Sequence, residues 1–336
     1  MSVRKAARWS LALAAFAAFA PLLSCSHTDD VIVQTGAGKE ASAVDIDREP
    51  LALLPGGVVG IASVDATQLV ASPFGGRLLA LLNQRLPVPP SAGFDPARDL
   101  QHLYIGLYSM QGADLSGVAL GKFDKAKIEA AVNGVEKTPQ GVPIAKRQYA
   151  GRTLYTAAGF GFCLLSERTA LFGNDTGIRR ALDRVREGRL RRQTLPWMDK
   201  LLDGEKSAPI VAGADLRAQA IPAAASSNLA FMNGLETMAF VGNFKDPGVN
   251  LAGTLVYGDE AGAKQGAQNV QGLAQKLGTY GTLLALVGFP QPVRQLQAEA
   301  KGKQAAFVVG LDGAALIQLL DKLPEYLGSK ALARNP

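Results

Sequence analysis

A chain of 336 residues is long enough for one large domain or two smaller ones. Apolar residues make up 48% and charged residues only 19%, which excludes a disordered chain. Two cysteines exclude a disulfide framework, and a formal charge of +6 over this length excludes a uniformly basic chain.

The first nine residues, MSVRKAARW, carry Arg4, Lys5 and Arg8 and no acid, and the next 14, SLALAAFAAFAPLL, carry no charge. A basic start followed by a short apolar run is the pattern of a secretory leader. A membrane-spanning helix needs about 20 apolar residues; this run is shorter, and Pro21 interrupts it. Ala18-Phe19-Ala20 has the form of an ordinary cleavage site, but a cut there would be followed by Pro21, which is unfavourable. Leu22-Leu23-Ser24-Cys25 instead resembles the lipobox of bacterial lipoproteins.

That resemblance implies a diacylglyceryl group on the Cys25 sulfur, removal of residues 1–24 and acylation of the new amine. A thiolate is a strong nucleophile toward a lipid donor. Two or three acyl chains anchor durably, because each buried methylene contributes about 0.8 kcal/mol. The implied partner is a membrane, held through the acyl chains on Cys25. Residue 26 is Ser rather than Asp, which by the same resemblance implies an outer-membrane address, with the side it faces left open.

Residues 25–50 are polar and small after the cysteine, without a sustained period, and end at Pro50; they read as a flexible tether. The TGAGKE inside them fails the phosphate-loop pattern twice, at Val33 and at Glu40. No cofactor is expected there or elsewhere.

The body reads as a duplication. Residues 51–196 and 207–327 are the expected copies, joined at GEKSAP (204–209), with 328–336 a disordered tail. The segments beginning at Leu100 and at Leu235 each show a strand, a polar turn with Gly and Asp, a second strand, an acid and an amphipathic helix. Six apolar strands run into an aspartate that opens a helix: Asp65, Asp124, Asp175, Asp215, Asp259 and Asp312. An aspartate there accepts from unpaired backbone N–H groups, contributing about 1 kcal/mol. They pair as Asp65 with Asp215, Asp124 with Asp259 and Asp175 with Asp312. Capping, rather than metal ligation, is the expected role. Hairpins such as 102–110 with 115–123 and 153–165 with 168–173 imply an α+β fold: two tandem copies of a mainly antiparallel sheet with helices packed on one face.

The leader holds three basic residues, leaving 32 basic and 29 acidic residues after it. RRALDRVREGRLRR, residues 179–192, holds seven arginines and two acids; without it the balance is 25 basic to 27 acidic. The basic excess is therefore one patch: Arg179, Arg180, Arg184, Arg186, Arg189, Arg191 and Arg192. One reading is a solvated helix face balanced by Asp183 and Glu187. The other is a contact to an anionic surface, such as the phosphates of lipid or glycolipid. Nucleic acid is not an expected partner of an exported, tethered chain.

Catalytic signals are sparse. His102 is the body's single histidine and shares a strand face with Tyr104 and Tyr108, either as a hydrogen-bonded strand residue or as part of a small aromatic-polar surface. Cys163 lies in an apolar strand and reads as core. No metal site is expected. The expectation is a lipid-anchored envelope protein that binds a partner or supports envelope structure without catalysis. The alternatives are a hydrolase using carboxylates, which needs two acids converging in a cleft, and a carrier of an apolar ligand, which needs an apolar pocket between sheet and helices.

Overall fold

The computed structural model describes residues 33–34, 38–83, 88–109, 114–217, 219, 227, 229–286 and 290–321; Cys25 and the tail expected at 328–336 lie outside the described residues. In chain order the first half has β1 (Val33–Gln34), α1 (Ala43–Arg48), a 3-10 turn (Pro50–Leu53), β2 (Gly60–Asp65), α2 (Ala66–Ala71) and α3 (Pro73–Asn83). A second 3-10 turn (Pro90–Ala92) leads to α4 (Pro96–Asp99), β3 (Leu100–Leu107), β4 (Leu115–Gly121) and α5 (Lys125–Asn133). Then come β5 (Ile144–Tyr149), β6 (Arg152–Ala157), β7 (Phe160–Leu164), β8 (Thr169–Asn174), α6 (Asp175–Arg186), β9 (Arg189–Leu190) and α7 (Pro196–Gly204). The second half has β10 (Ile210–Asp215), β11 (Leu235–Asn243), β12 (Gly248–Tyr257), α8 (Glu260–Leu286), β13 (Val293–Lys301), β14 (Gln304–Asp312) and a helix over 313–321.

Twelve strands form one antiparallel sheet in the order β13-β14-β12-β11-β10-β2-β3-β4-β8-β7-β6-β5. The fold is α+β, and the two copies share one continuous sheet. Outward from the centre, β2-β3-β4-β8-β7 repeats as β10-β11-β12-β14-β13. A β-bulge falls between Leu100 and His102 of β3, and another between Leu235 and Thr237 of β11, 135 positions on. The halves meet where β2 runs antiparallel to β10, with Ala62 opposite Ala212. Those two residues are equivalent under the same offset that pairs Asp65 with Asp215, so a pseudo-two-fold axis passes between them. The β5–β6 hairpin belongs to the first half alone.

Capping explains most helix starts. Asp65 accepts from the Gln68 N–H, Asp124 from Lys127, Asp259 from Gly262 and Asp312 from Ala315, at 2.7–3.0 Å. Asp175 is not a cap: Asn174 accepts from the Gly177 N–H, and Asp175 is the first helical residue, ion-paired to Arg179. Asp215 accepts from the Arg217 N–H at the start of a turn. The stretch 153–165, read as one strand, bends at Ala158 and Gly159, both with positive φ, and becomes β6 and β7.

The repeat-equivalent helices α5 and α8 pack on one face of the sheet: Ile128 and Val132 against Ala119, Phe162 and Leu164, and Ala263, Ala267 and Val270 against Leu255, Tyr257 and Ala305. The opposite face of the first half is covered as well, by α1, α6 and α7, through Ile46, Ile178, Leu182 and Met198 against Val118, Leu154 and Leu171. Successive strand residues such as Val118 and Ala119 are therefore both buried.

The expected tether is shorter than 25–50. Ser42 and Asp45 form a capping box on α1, Ile46 is fully buried, and Asp47 accepts from the hydroxyls of Ser166 and Thr169 at 2.6 Å. Two buried apolar side chains, Ala41 and Ile46, and a few polar residues fix this segment, too little to show as a period.

Candidate functional site

On the α5 face of the first half, sheet and helices do not close completely. A cavity of about 210 Å³ lies between β3, β4, β7 and β8 below and α3, α5 and the 88–96 segment above. Every residue that lines it is apolar. Five of the chain's 13 phenylalanines stand around it: Phe94, Phe123, Phe160, Phe162 and Phe172. Phe94 and Phe123 contact ring to ring at 5.7 Å, and Phe160, 42% exposed, sits at the rim against Phe172. In the second half α8 instead lies close on the sheet through alanines, with the hydroxyl of Tyr257 2.2 Å from where a Cβ on Gly266 would stand.

The arginine patch is largely internally balanced. Arg179 pairs with Asp175 at 3.0 Å, Arg186 with Asp183 at 2.8 Å, and Arg189 with Glu187. Arg180 holds both oxygens of Asp114 at 2.8 Å and lies over the Tyr108 ring at 4.5 Å. Arg192 bridges Glu49 and Asp203 at 3.1 and 2.8 Å. Arg184 points inward, donating to the carbonyls of Ala52 and Arg191 and to the Gln193 side chain. Arg191 is exposed and forms no ion pair among the described residues.

His102 lies on the opposite sheet face from the cavity. Its Nε2 is 2.7 Å from Ser63 Oγ, and its ring contacts Tyr104 at 4.5 Å. Burial holds the imidazole below its usual pKa, against the pull of Asp65. Asp65 stands opposite His102 in the ladder, but its oxygens accept from the Gln68 N–H and Gln68 Nε2, tying the carboxylate to α2. Ser63 and His102 line a cleft of about 380 Å³ with Glu49, Arg192 and Asp203. Glu49 and Asp203 converge on Arg192 rather than on each other, and Glu205 also lines the cleft. Tyr108 is apart from this cleft, buried and donating to the Pro55 carbonyl.

Cys163 is fully buried, and burial pushes its thiol up to about 12, the opposite of an activated nucleophile. Among the described residues no group of three His, Cys, Asp or Glu side chains is placed to hold a metal, and no helix is long and apolar enough to cross a membrane. The sequence reading allowed for an apolar pocket between sheet and helices without placing it, and it missed the Ser63–His102 contact. The crowding of phenylalanine between 94 and 172 was the one available signal for the first. For the second, 39 residues of separation hide a pair that only strand register brings together.

No protein-family model matches the chain, and no curated protein matches it in sequence. Among solved structures it is similar to crystal form I of TP0453, at 10% identity and a TM-score of 0.49, over 81% of this chain and 96% of that one. Crystal forms III and IV of TP0453 match at 10% identity and a TM-score of 0.47, over 80% of this chain and 96% and 95% of theirs.

Proposed function

We propose that the protein is a lipid-anchored envelope module that holds a hydrocarbon chain in the cavity of its first half, with Cys25 as the anchor. The observation that carries this reading is the wholly apolar lining of a 210 Å³ space whose rim presents an exposed phenylalanine. Cavities of about 150 Å³ lined by apolar side chains admit benzene. Scaled from benzene's six carbons, this one holds about eight. Eight methylenes leaving water contribute about 6 kcal/mol, a Kd on the order of 10–100 μM. Ion pairing within the arginine patch argues for a structural role there, and the tied-up acids around Arg192 give the hydrolase alternative no support.

The test is titration of the chain with decanol, followed by displacement of an environment-sensitive dye. Binding in that range is expected. Replacing Ala119 and Ala170 together by Leu fills the cavity and should weaken binding at least tenfold without lowering Tm. Absence of decanol binding up to its aqueous solubility limit, which lies above the expected Kd, defeats the reading. The anchor is tested separately: fatty-acid label on the chain should vanish in Cys25→Ser, and its persistence at the N-terminus would exclude the lipobox.

A further inference from the structure

Beside the apolar cavity lies a wide, open vestibule of about 810 Å³, and the two share Phe94, Phe123 and Ile128 as a common wall. The vestibule is of opposite character. Arg98, Lys122, Lys127 and Arg168 face it, together with Asp99, Asp124 and Glu167. Two of the acids are committed: Asp99 is buried and holds Arg98 at 2.6 Å, and Asp124 caps α5 through the Lys127 N–H. Lys122, Lys127 and Arg168 are exposed, and none forms an ion pair among the described residues. Four cations thus stand against three carboxylates, a net of one positive charge, and Lys122, Lys127 and Arg168 are separated from an apolar cavity only by two phenyl rings and an isoleucine side chain.

We infer that the ligand is a single-chain amphiphile with an anionic head, a carboxylate or a phosphate monoester, its chain in the cavity and its head among Lys122, Lys127 and Arg168. This rests on the cavity being a ligand site, and it adds the head group. A hydrocarbon chain alone would be satisfied by the cavity. Charge-assisted hydrogen bonds are roughly twice as strong as neutral ones, so an anionic head selects this end of the site. The vestibule is open to solvent, so the selection weakens as salt rises. Phe94 and Phe123 must part for the chain to pass.

The experiment compares decanol, decanoate and decyl phosphate on the full chain and on its Lys122→Gln, Lys127→Gln, Arg168→Gln triple variant. These three side chains are exposed, so the variant should keep the wild-type circular dichroism and Tm. On the wild type at low salt, at least one anion should bind about tenfold more tightly than decanol. The variant should lose that preference and bind decanol unchanged. The anion with the larger advantage identifies the head as carboxylate or phosphate. Equal binding of all three probes by the wild type overturns the anionic head and leaves the cavity reading standing, as does a preference that survives in the variant. Failure of every probe to bind overturns the cavity reading itself.

Discussion

Arg184 carries a positive charge into the interior without an ion pair among the described residues. Burial holds its pKa below the ordinary arginine value, and the nearby charges of Arg189 and Arg191 act in the same direction. What keeps it there is the planar guanidinium, which reaches the Ala52 carbonyl at 3.0 Å together with the Arg191 carbonyl and the Gln193 side chain. Arg184→Met relieves the desolvation but leaves two carbonyls without their donor, each costing about 1–3 kcal/mol. The second effect wins, and a loss of about 2–4 kcal/mol is expected from urea unfolding. Arg184→Lys should recover little, since a point ammonium cannot span three acceptors. If the methionine variant is as stable as the wild type, the arginine is not structural. His102 gives a pH signature. Its folded pKa is lowered, so below about pH 6.5 the unfolded chain takes a proton that the folded one refuses. Stability should be full above that pH, decline as pH falls below it, and level off once the folded histidine also protonates. Between pH 7.5 and 5.5 the decline should vanish in His102→Gln, which can still hydrogen-bond Ser63; an identical decline in both proteins would trace it to other groups. Single residues were unevenly legible in the sequence. Aspartates before helices could be read because a cap acts within three residues. The inward turn of Arg184 could not, since its partners lie as far as 132 residues away.

Helix α8 shows how two effects of opposite sign share one residue type. Gly262, Gly266 and Gly272 each weaken the helix by about 1 kcal/mol relative to alanine. At Gly272 a Cβ would meet nothing within 4 Å, whereas at Gly266 it would stand 2.2 Å from the Tyr257 hydroxyl. That hydroxyl cannot simply move aside, because it donates to the Phe231 carbonyl at 2.7 Å in a buried side chain. Gly272→Ala should therefore raise stability by about 0.5–1 kcal/mol, while Gly266→Ala should lower it by about 1–3 kcal/mol. Tm measurements on the two variants decide the matter; shifts of the same sign would mean that α8 does not need its close approach. Helix α5, in the first half, has no such glycine and stands over phenylalanines, and there the cavity remains. The element pattern, strand then acid then helix, was readable because periodicity and caps are local. The space beneath a helix was not, because a cavity is set by side-chain volumes contributed from seven separate segments.

At the scale of the whole molecule, the question is whether a duplicated chain behaves as two bodies or one. The duplication could be read from the recurring order of strand, acid and helix, but that order says nothing about which edges of the copies join. They join through β2 and β10, which places both copies' first strands at the centre and leaves β13 and β5 as the outer edges. The junction is more than a ladder. Helix α7 belongs to the connection between the copies, and its Trp197 covers Gly213 of β10, where a Cβ would stand 2.8 Å from the indole ring. Met198 and Leu202 of the same helix join Val211 of the second half to the core of the first. A boundary sealed by main-chain hydrogen bonds and a shared apolar core should not open separately. With Trp9 replaced by Phe, Trp197 is the chain's single tryptophan and reports on this junction alone. Urea unfolding followed by its fluorescence should superimpose on the far-ultraviolet circular dichroism of the entire sheet. Gly213→Val should shift both curves together to lower urea by displacing the indole. Two steps in the dichroism, with the fluorescence changing in only one, would mean that the halves unfold independently and that the continuous sheet is not a cooperative unit.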